Sequence, residues 1–149
     1  MKPIIENKKA RLEYEFIETY SAGMSLYGFE VKALRAGKAS LVGSRVVVRG
    51  GEAFLVGATV SPYQKKNTPQ SYDPERSRRL LLNKKEIAAL AAYEGQKGLT
   101  IVPVMVYNSK CVKLSVAVAR KKKKHDKRAT MKDRDAKRSI ERSLKNEYR

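Results

Sequence analysis

The sequence has no tryptophan, one cysteine, one histidine and three phenylalanines in 149 residues. Each shortage excludes something. Cys111 alone cannot close an internal disulfide, which fits a reducing compartment. A zinc site draws on several Cys and His side chains, and this chain has two in all, so no metal is expected. His125 stands in a segment without folded neighbours to orient it, and Cys111 opens an apolar alternating run, where a small structural thiol is the ordinary role. No glycine-rich loop is shaped to cradle a phosphate. Without a positioned acid, base or nucleophile, catalysis is not expected and no cofactor is required. No apolar run approaches the roughly 20 residues of a membrane-spanning helix. The first residues, Met1-Lys-Pro-Ile-Ile-Glu, lack the apolar stretch of a signal peptide. A cytoplasmic chain with no membrane partner is expected.

Acids are scarce as well. Fifteen Asp and Glu face 33 Lys and Arg, a net charge of +18. A dense polyanion releases condensed counterions to such a protein, which favours nucleic acid as partner. The charge is concentrated. "RKKKKHDKRATMKDRDAKRSIERSLKNEYR", residues 120–149, carries 14 basic against 5 acidic side chains, half of the total net charge. Its only bulky apolar residues are Met131, Ile140, Leu144 and Tyr148, too few for the apolar face of an interfacial helix. Val, Leu, Ile, Phe and Tyr are frequent up to Val118. A folded basic domain over 1–119 and a basic extension over 120–149 follow.

The apolar pattern of the first part is mostly of period two. In "RLEYEFIETY", Leu12, Tyr14 and Phe16 alternate with Glu13 and Glu15, which predicts a half-buried strand. The acids Glu13, Glu15 and Glu18 read as its solvated face. "MSLYG" predicts a further extended run. "FEVKALRAGKASL" puts Phe29, Ala33 and Leu34 on one helical face with Gly37 as the stop. "RVVVRGGEAFLVG" is a hairpin about Gly50-Gly51. Residues 64–78, "QKKNTPQSYDPERSR", are polar and aperiodic, a surface loop. "NKKEIAALAAYEG" is a helix capped by Asn83 with Glu86 three residues on and ended by Gly95. "LTIVPVMVY" and "CVKLSVAVA" flank a turn at 108–110, with Val112, Leu114, Val116 and Val118 facing one way. About six mostly antiparallel strands and one or two short helices must hide their edges, and a small barrel does so. An all-β fold resembling the oligonucleotide-binding (OB) barrel is expected, with an SH3-like barrel fitting the strand count nearly as well.

The ordered set "NKKARLEYEFIETYSAGMSLYGFEVKALRAGKASL", "GEAFLVGATVSPY", "DPERSRRLLLNKKEI" and "HDKR" resembles the SmpB (small protein B) family, the SsrA-binding proteins of bacterial trans-translation, over nearly the whole chain. The resemblance implies an OB-type barrel that grips the tRNA-like domain of tmRNA. It also implies a monomer that enters the decoding site of a stalled ribosome, its basic tail lying in the messenger channel of the small subunit against ribosomal RNA, and that catalyses nothing itself. Asn7, Lys8 and Lys9 match the family's N-terminal RNA-contact cluster; read alone, they are a solvated lead-in to a strand. Leu81 and Asn83 match a second cluster; read alone, Leu81 is core and Asn83 only a cap. Lys32, Arg35 and Arg79 are candidate phosphate contacts. Three positions depart from the family. Ser21 replaces a Glu that contacts RNA, Leu12 replaces a His, and Arg120-Lys121 replaces Gly-Lys at the exit from the barrel.

In the tail, Lys121, Lys122, Lys123 and Lys124 supply charge for phosphates, His125 a stacking ring, and Asp126, Lys127 and Arg128 a directed contact. Thr130 with Asp133 forms a capping box. Asp133 with Lys137 and Glu141 with Lys145 are ion pairs at helical spacing, and Ala136, Ile140, Leu144 and Tyr148 make a narrow stripe. A helix over 130–147 is expected to form on ribosomal RNA from a segment disordered in free protein. The competing readings are a basic ribosomal structural protein and an RNA-processing enzyme with an unrecognised site.

Overall fold

The spine of the structure, a computed structural model that describes residues 2–62, 64, 66 and 68–123, is the hairpin of Leu99–Asn108 and Val112–Lys121. These are the last two of nine strands among the described residues. In chain order the elements are β1 (Lys2–Glu6), α1 (Lys8–Glu13), β2 (Tyr14–Met24), α2 (Gly28–Arg35), β3 (Ala39–Ser40), β4 (Arg45–Arg49), β5 (Glu52–Val56), β6 (Thr59–Val60), β7 (Arg78–Leu81), α3 (Lys84–Glu94), β8 (Leu99–Asn108) and β9 (Val112–Lys121). Seven strands form one antiparallel sheet in the order β1-β8-β9-β2-β7-β5-β4, and β3 pairs with β6. The sheet coils until β4 lies against β8, an OB-like arrangement that does not close by hydrogen bonds. The tail positions Lys124, His125, Asp126, Lys127, Arg128, Ile140 and Leu144, and the helix expected over 130–147, lie outside the described residues.

Burial on β9 explains why its sequence is apolar on both sides. Val112, Leu114, Val116 and Val118 point into the main core with Leu55, Leu80, Leu90 and Ile101. On its other face Ala117 and Ala119 form a second, smaller core with Ala10, Val102 and Val104. The small alanines let α1 approach the sheet closely there. The β8 strand has partners on both sides and yet contains Pro103, which has no N–H to donate. A bulge between Pro103 and Met105 resolves this. Asn7 secures the bulge. Its backbone N–H donates to the Val104 carbonyl (2.8 Å) and its Nδ2 to the Pro103 carbonyl (2.9 Å). Its Oδ1 accepts from Ala10 N (3.2 Å) and so caps α1.

Several expectations from the sequence hold. Gly50 and Gly51 have φ of 59° and 75°, the paired left-handed geometry of a two-residue hairpin turn. Asn83 and Glu86 exchange backbone-to-side-chain hydrogen bonds at the start of α3 (2.8 and 3.1 Å). Others do not. Leu12 is helical, because Asn7 starts a helix where the alternating pattern suggests a strand. The run after Met24 is not a strand but the approach to α2. Cys111 is exposed in the β8–β9 turn, so it packs no core.

One feature has no trace in the sequence pattern. Glu30 on α2 is completely buried beside Arg78, which is 1% exposed. The carboxylate accepts from Arg78 Nη2 (2.8 Å) and Nε (3.0 Å), Arg76 Nε (3.1 Å), the Tyr72 hydroxyl (2.8 Å) and Tyr27 N (2.9 Å). Arg76 Nη2 adds a further short ion pair. This cluster fastens α2 to the segment that leads into β7.

Candidate nucleic-acid interface

Residues opposite one another in an antiparallel ladder share a face of the sheet, so the register defines the outer surface. One row runs Tyr107, Lys113, Gly23, Leu81 across β8, β9, β2 and β7. The next runs Met105, Ser115, Ser21. Beside Leu81 on the same face of β7 is Arg79, paired with Phe54 on β5, which is paired in turn with Val47 on β4. The inner face of these strands holds Ala22, Leu80, Ala53 and Leu55, all in the core.

Leu81 is therefore not a core residue. It is 50% exposed and rests over Gly23, where a Cβ would stand 3.2 Å from that of Leu81. A larger residue at 23 would push the leucine off the sheet. The exposed apolar side chain is flanked by Arg79 and Lys113. Arg79 lies 3.6 Å from Glu52 with both side chains about half exposed; such a pair is weak and easily exchanged for a phosphate. Asn83 follows two residues on. Its cap uses Oδ1, and the residue is exposed. Ser21 shares a hydrogen bond with the hydroxyl of Tyr107, a residue 6% exposed, so its side chain is tied into the sheet.

The N-terminal cluster opens on the same outer side, because Ala10 of α1 packs on Val102, Val104, Ala117 and Ala119. Lys8 and Lys9 are exposed. Asn7 is buried at 4% with its amide turned inward, so it sets where Lys8 and Lys9 stand. Lys9 borders a cleft of about 310 Å³ between α1 and residues 43–45. Lys32 and Arg35 are exposed on α2, which packs on β1 and β6, away from the outer face. Lys121 and Lys123 are exposed where β9 ends, and Lys122 N donates to the Glu13 carbonyl (2.8 Å). The strand thus runs two residues past 119. Lys113 and Phe54 belong to the outer face and are not evident from the sequence, since only the register tells which side of β9 and β5 they occupy.

A family model described as SmpB protein matches residues 4–146. The chain is 45% identical over 146 residues to the SsrA-binding protein of Thermosynechococcus vestitus, covering 97% of this chain and 96% of that one. It is 50% identical over 143 residues to that of a Psychrobacter species, covering 95% and 90%. A solved structure described as "tmRNA-SmpB: a journey to the center of the bacterial ribosome" matches with a TM-score of 0.68 and 43% identity, over 83% of this chain and 87% of that one.

Proposed function

This chain belongs to the SmpB family, and from that premise we propose that it binds the tRNA-like domain of tmRNA and carries it to stalled ribosomes. There the nascent peptide is tagged and the ribosome released. The observation that carries the reading to particular residues is the outer face of the sheet. A half-exposed leucine lies on a glycine among cations, on the same side as the two lysines of α1. Structured RNA offers phosphates, 2′-hydroxyls and splayed bases, and the face answers each. Leu81 supports a base or ribose, Asn83 Nδ2 donates to an acceptor, and Lys8, Lys9, Arg79 and Lys113 meet phosphates. Asn7 and Ser21 hold the surface in shape. Lys32 and Arg35 are contacts on a second side. Lys121, Lys122, Lys123 and the following basic residues meet the ribosome. The protein acts in the cytoplasm as a monomer and provides binding, not catalysis.

The test is which RNA copurifies from native cells. tmRNA is expected; ribosomes at constant stoichiometry without tmRNA would speak for a structural ribosomal protein. In gel shifts, Leu81→Asp should lower tmRNA affinity about tenfold or more, placing a negative charge where RNA docks. Its melting temperature should hardly change, since the side chain is half exposed. Equal affinity of mutant and wild type would remove Leu81 from the interface. With about six phosphate contacts, log affinity should fall with log salt at a slope of about −4 to −5. Arg79→Ala should flatten that slope by about one unit. Arg35→Ala will do the same only if α2 also meets a phosphate.

A further inference from the structure

A second surface has the makings of a recognition site, at the start of α2. Tyr27 and Phe29 stack at 5.5 Å, and Phe29 meets Tyr72 edge-on at 4.8 Å. The Arg76 guanidinium sits 4.2 Å from the centre of the Tyr27 ring. Together with Pro69, Ser71 and Asp73 they line an open cleft of about 440 Å³, within the usual size of small-ligand pockets. Tyr27 is 53% exposed, a large aromatic surface left in water. The cleft is also pre-organised. Glu30 holds Arg76, Tyr72 and the backbone of Tyr27 through one buried carboxylate, so its lining needs little ordering when something binds.

The charges indicate what fits. Both guanidinium edges used by Arg76 are engaged by Glu30, so those donors are occupied, while the single carboxylate, shared with Arg78, leaves the cluster one net positive charge. Asp73 at the rim would repel a phosphate. The Asp73 Oδ1 accepts from Glu75 N (2.9 Å), while Oδ2 has no partner among the described residues. A flat aromatic ligand whose edge donates hydrogen bonds satisfies all of this. On a chain of net charge +18, whose partners are polyanions, that ligand is a nucleobase pulled out of its stack. We propose that this cleft binds one unpaired, amino-bearing base of RNA, resting on the Tyr27–Arg76–Phe29 group with its amino edge toward Asp73. It rests on the chain's being an RNA binder, yet it lies on the α2 side, apart from the outer face of the sheet. One molecule can therefore hold two RNA elements at once.

The test titrates full-length protein with the hexanucleotides A6, C6 and U6 and follows aromatic ring signals by NMR. Shifts at Tyr27 and Phe29, stronger with A6 and C6 than with U6, are expected. Tyr27→Ala should weaken A6 binding about tenfold, the usual worth of one base–aromatic stack. It keeps the backbone hydrogen bond to Glu30, so the fold should be unchanged by circular dichroism. Asp73→Asn should remove the preference over U6 while keeping binding. Comparing Tyr27→Ala with wild type on purified tmRNA and on purified ribosomes then tells which of them supplies the base. Silent cleft signals with intact tmRNA gel shifts would overturn this inference and leave the proposed function standing. Shifts produced by a proline-rich peptide and by none of the hexanucleotides would overturn it in favour of peptide docking.

Discussion

Glu30→Ala should cost about 3–5 kcal/mol of folding stability, the range for breaking a buried ion pair by removing one partner. Arg78 is 1% exposed, so without Glu30 a guanidinium would stand in the interior with no counter-charge, its remaining partners the carbonyls of Ala58, Pro74 and Arg76 and the Tyr72 hydroxyl. Small domains have about 5–15 kcal/mol in total, so the variant should be partly unfolded near physiological temperature. Urea midpoints measure this. Because the loss comes from the stranded charge, adding Arg78→Met to Glu30→Ala should recover much of it, as buried ion pairs can often be replaced by apolar groups of similar volume. A double variant no more stable than the single one would show that the carboxylate matters chiefly through Tyr72, Tyr27 and Arg76.

The same group gives the pH dependence. Burial pushes the Glu30 carboxyl up, but hydrogen bonds from Arg76, the Tyr27 backbone, Tyr72 and Arg78 outweigh it and bring the pKa from 4.5 down to about 2. A carboxyl depressed in the folded state stabilises the protein above its unfolded value and ceases to do so as pH falls through the folded one. About 3 kcal/mol should therefore be lost between pH 4.5 and 2. Above pH 5 this group adds no slope. Glu30→Gln should remove that acid-limb loss. An unchanged slope in the variant would place the acid sensitivity elsewhere.

Features set by a few neighbouring residues were legible in the sequence. Asn83 and Glu86 are three apart, so their cap needs nothing from the rest of the chain, and Gly50-Gly51 makes its own turn. Strand β9 announced itself by valines on alternate positions. What needed tertiary information was hidden. Leu80, Leu81 and Leu82 are alike as text, and only the pairing of β7 with β2 turns Leu80 inward and Leu81 outward. Arg76, Arg78 and Arg79 are equally basic in sequence, yet Arg78 is buried on Glu30 while Arg79 is exposed. Asn7 was open to two readings because its role depends on a bulge 96 residues away. Composition and charge pointed to nucleic acid as a class. The particular RNA came only from the family resemblance, since no local pattern of Lys and Arg specifies a tRNA-like fold.

A chain ending after Lys123 should bind tmRNA nearly as the full protein does and fail completely to support tagging on stalled ribosomes. The cut belongs there because β9 runs through Lys121, with Arg120 and Lys121 paired to Glu15 and Tyr14, and Lys122 ties to Glu13. Ending at 119 would strip the first residues of β2 of their partners and confuse folding with function. The shorter chain loses 10 basic and 5 acidic residues, and so keeps +13 of its +18 charge. It also keeps every residue assigned to the outer face. Long-range attraction to RNA is weakened only in part, so affinity should fall by roughly tenfold or less at physiological salt, where charges beyond about 8 Å are screened. Tagging is different in kind. The removed segment holds Lys124, His125, Asp126, Lys127, Arg128, Ile140 and Leu144, most of the positions proposed to meet the ribosome, and leaves only Lys121, Lys122 and Lys123 of that set. Within the full chain, Ile140→Asp should reproduce most of the tagging defect with tmRNA binding intact, because it alters one apolar contact and little of the charge. Equal loss of binding and tagging in the shortened chain would show that the tail and barrel grip tmRNA together.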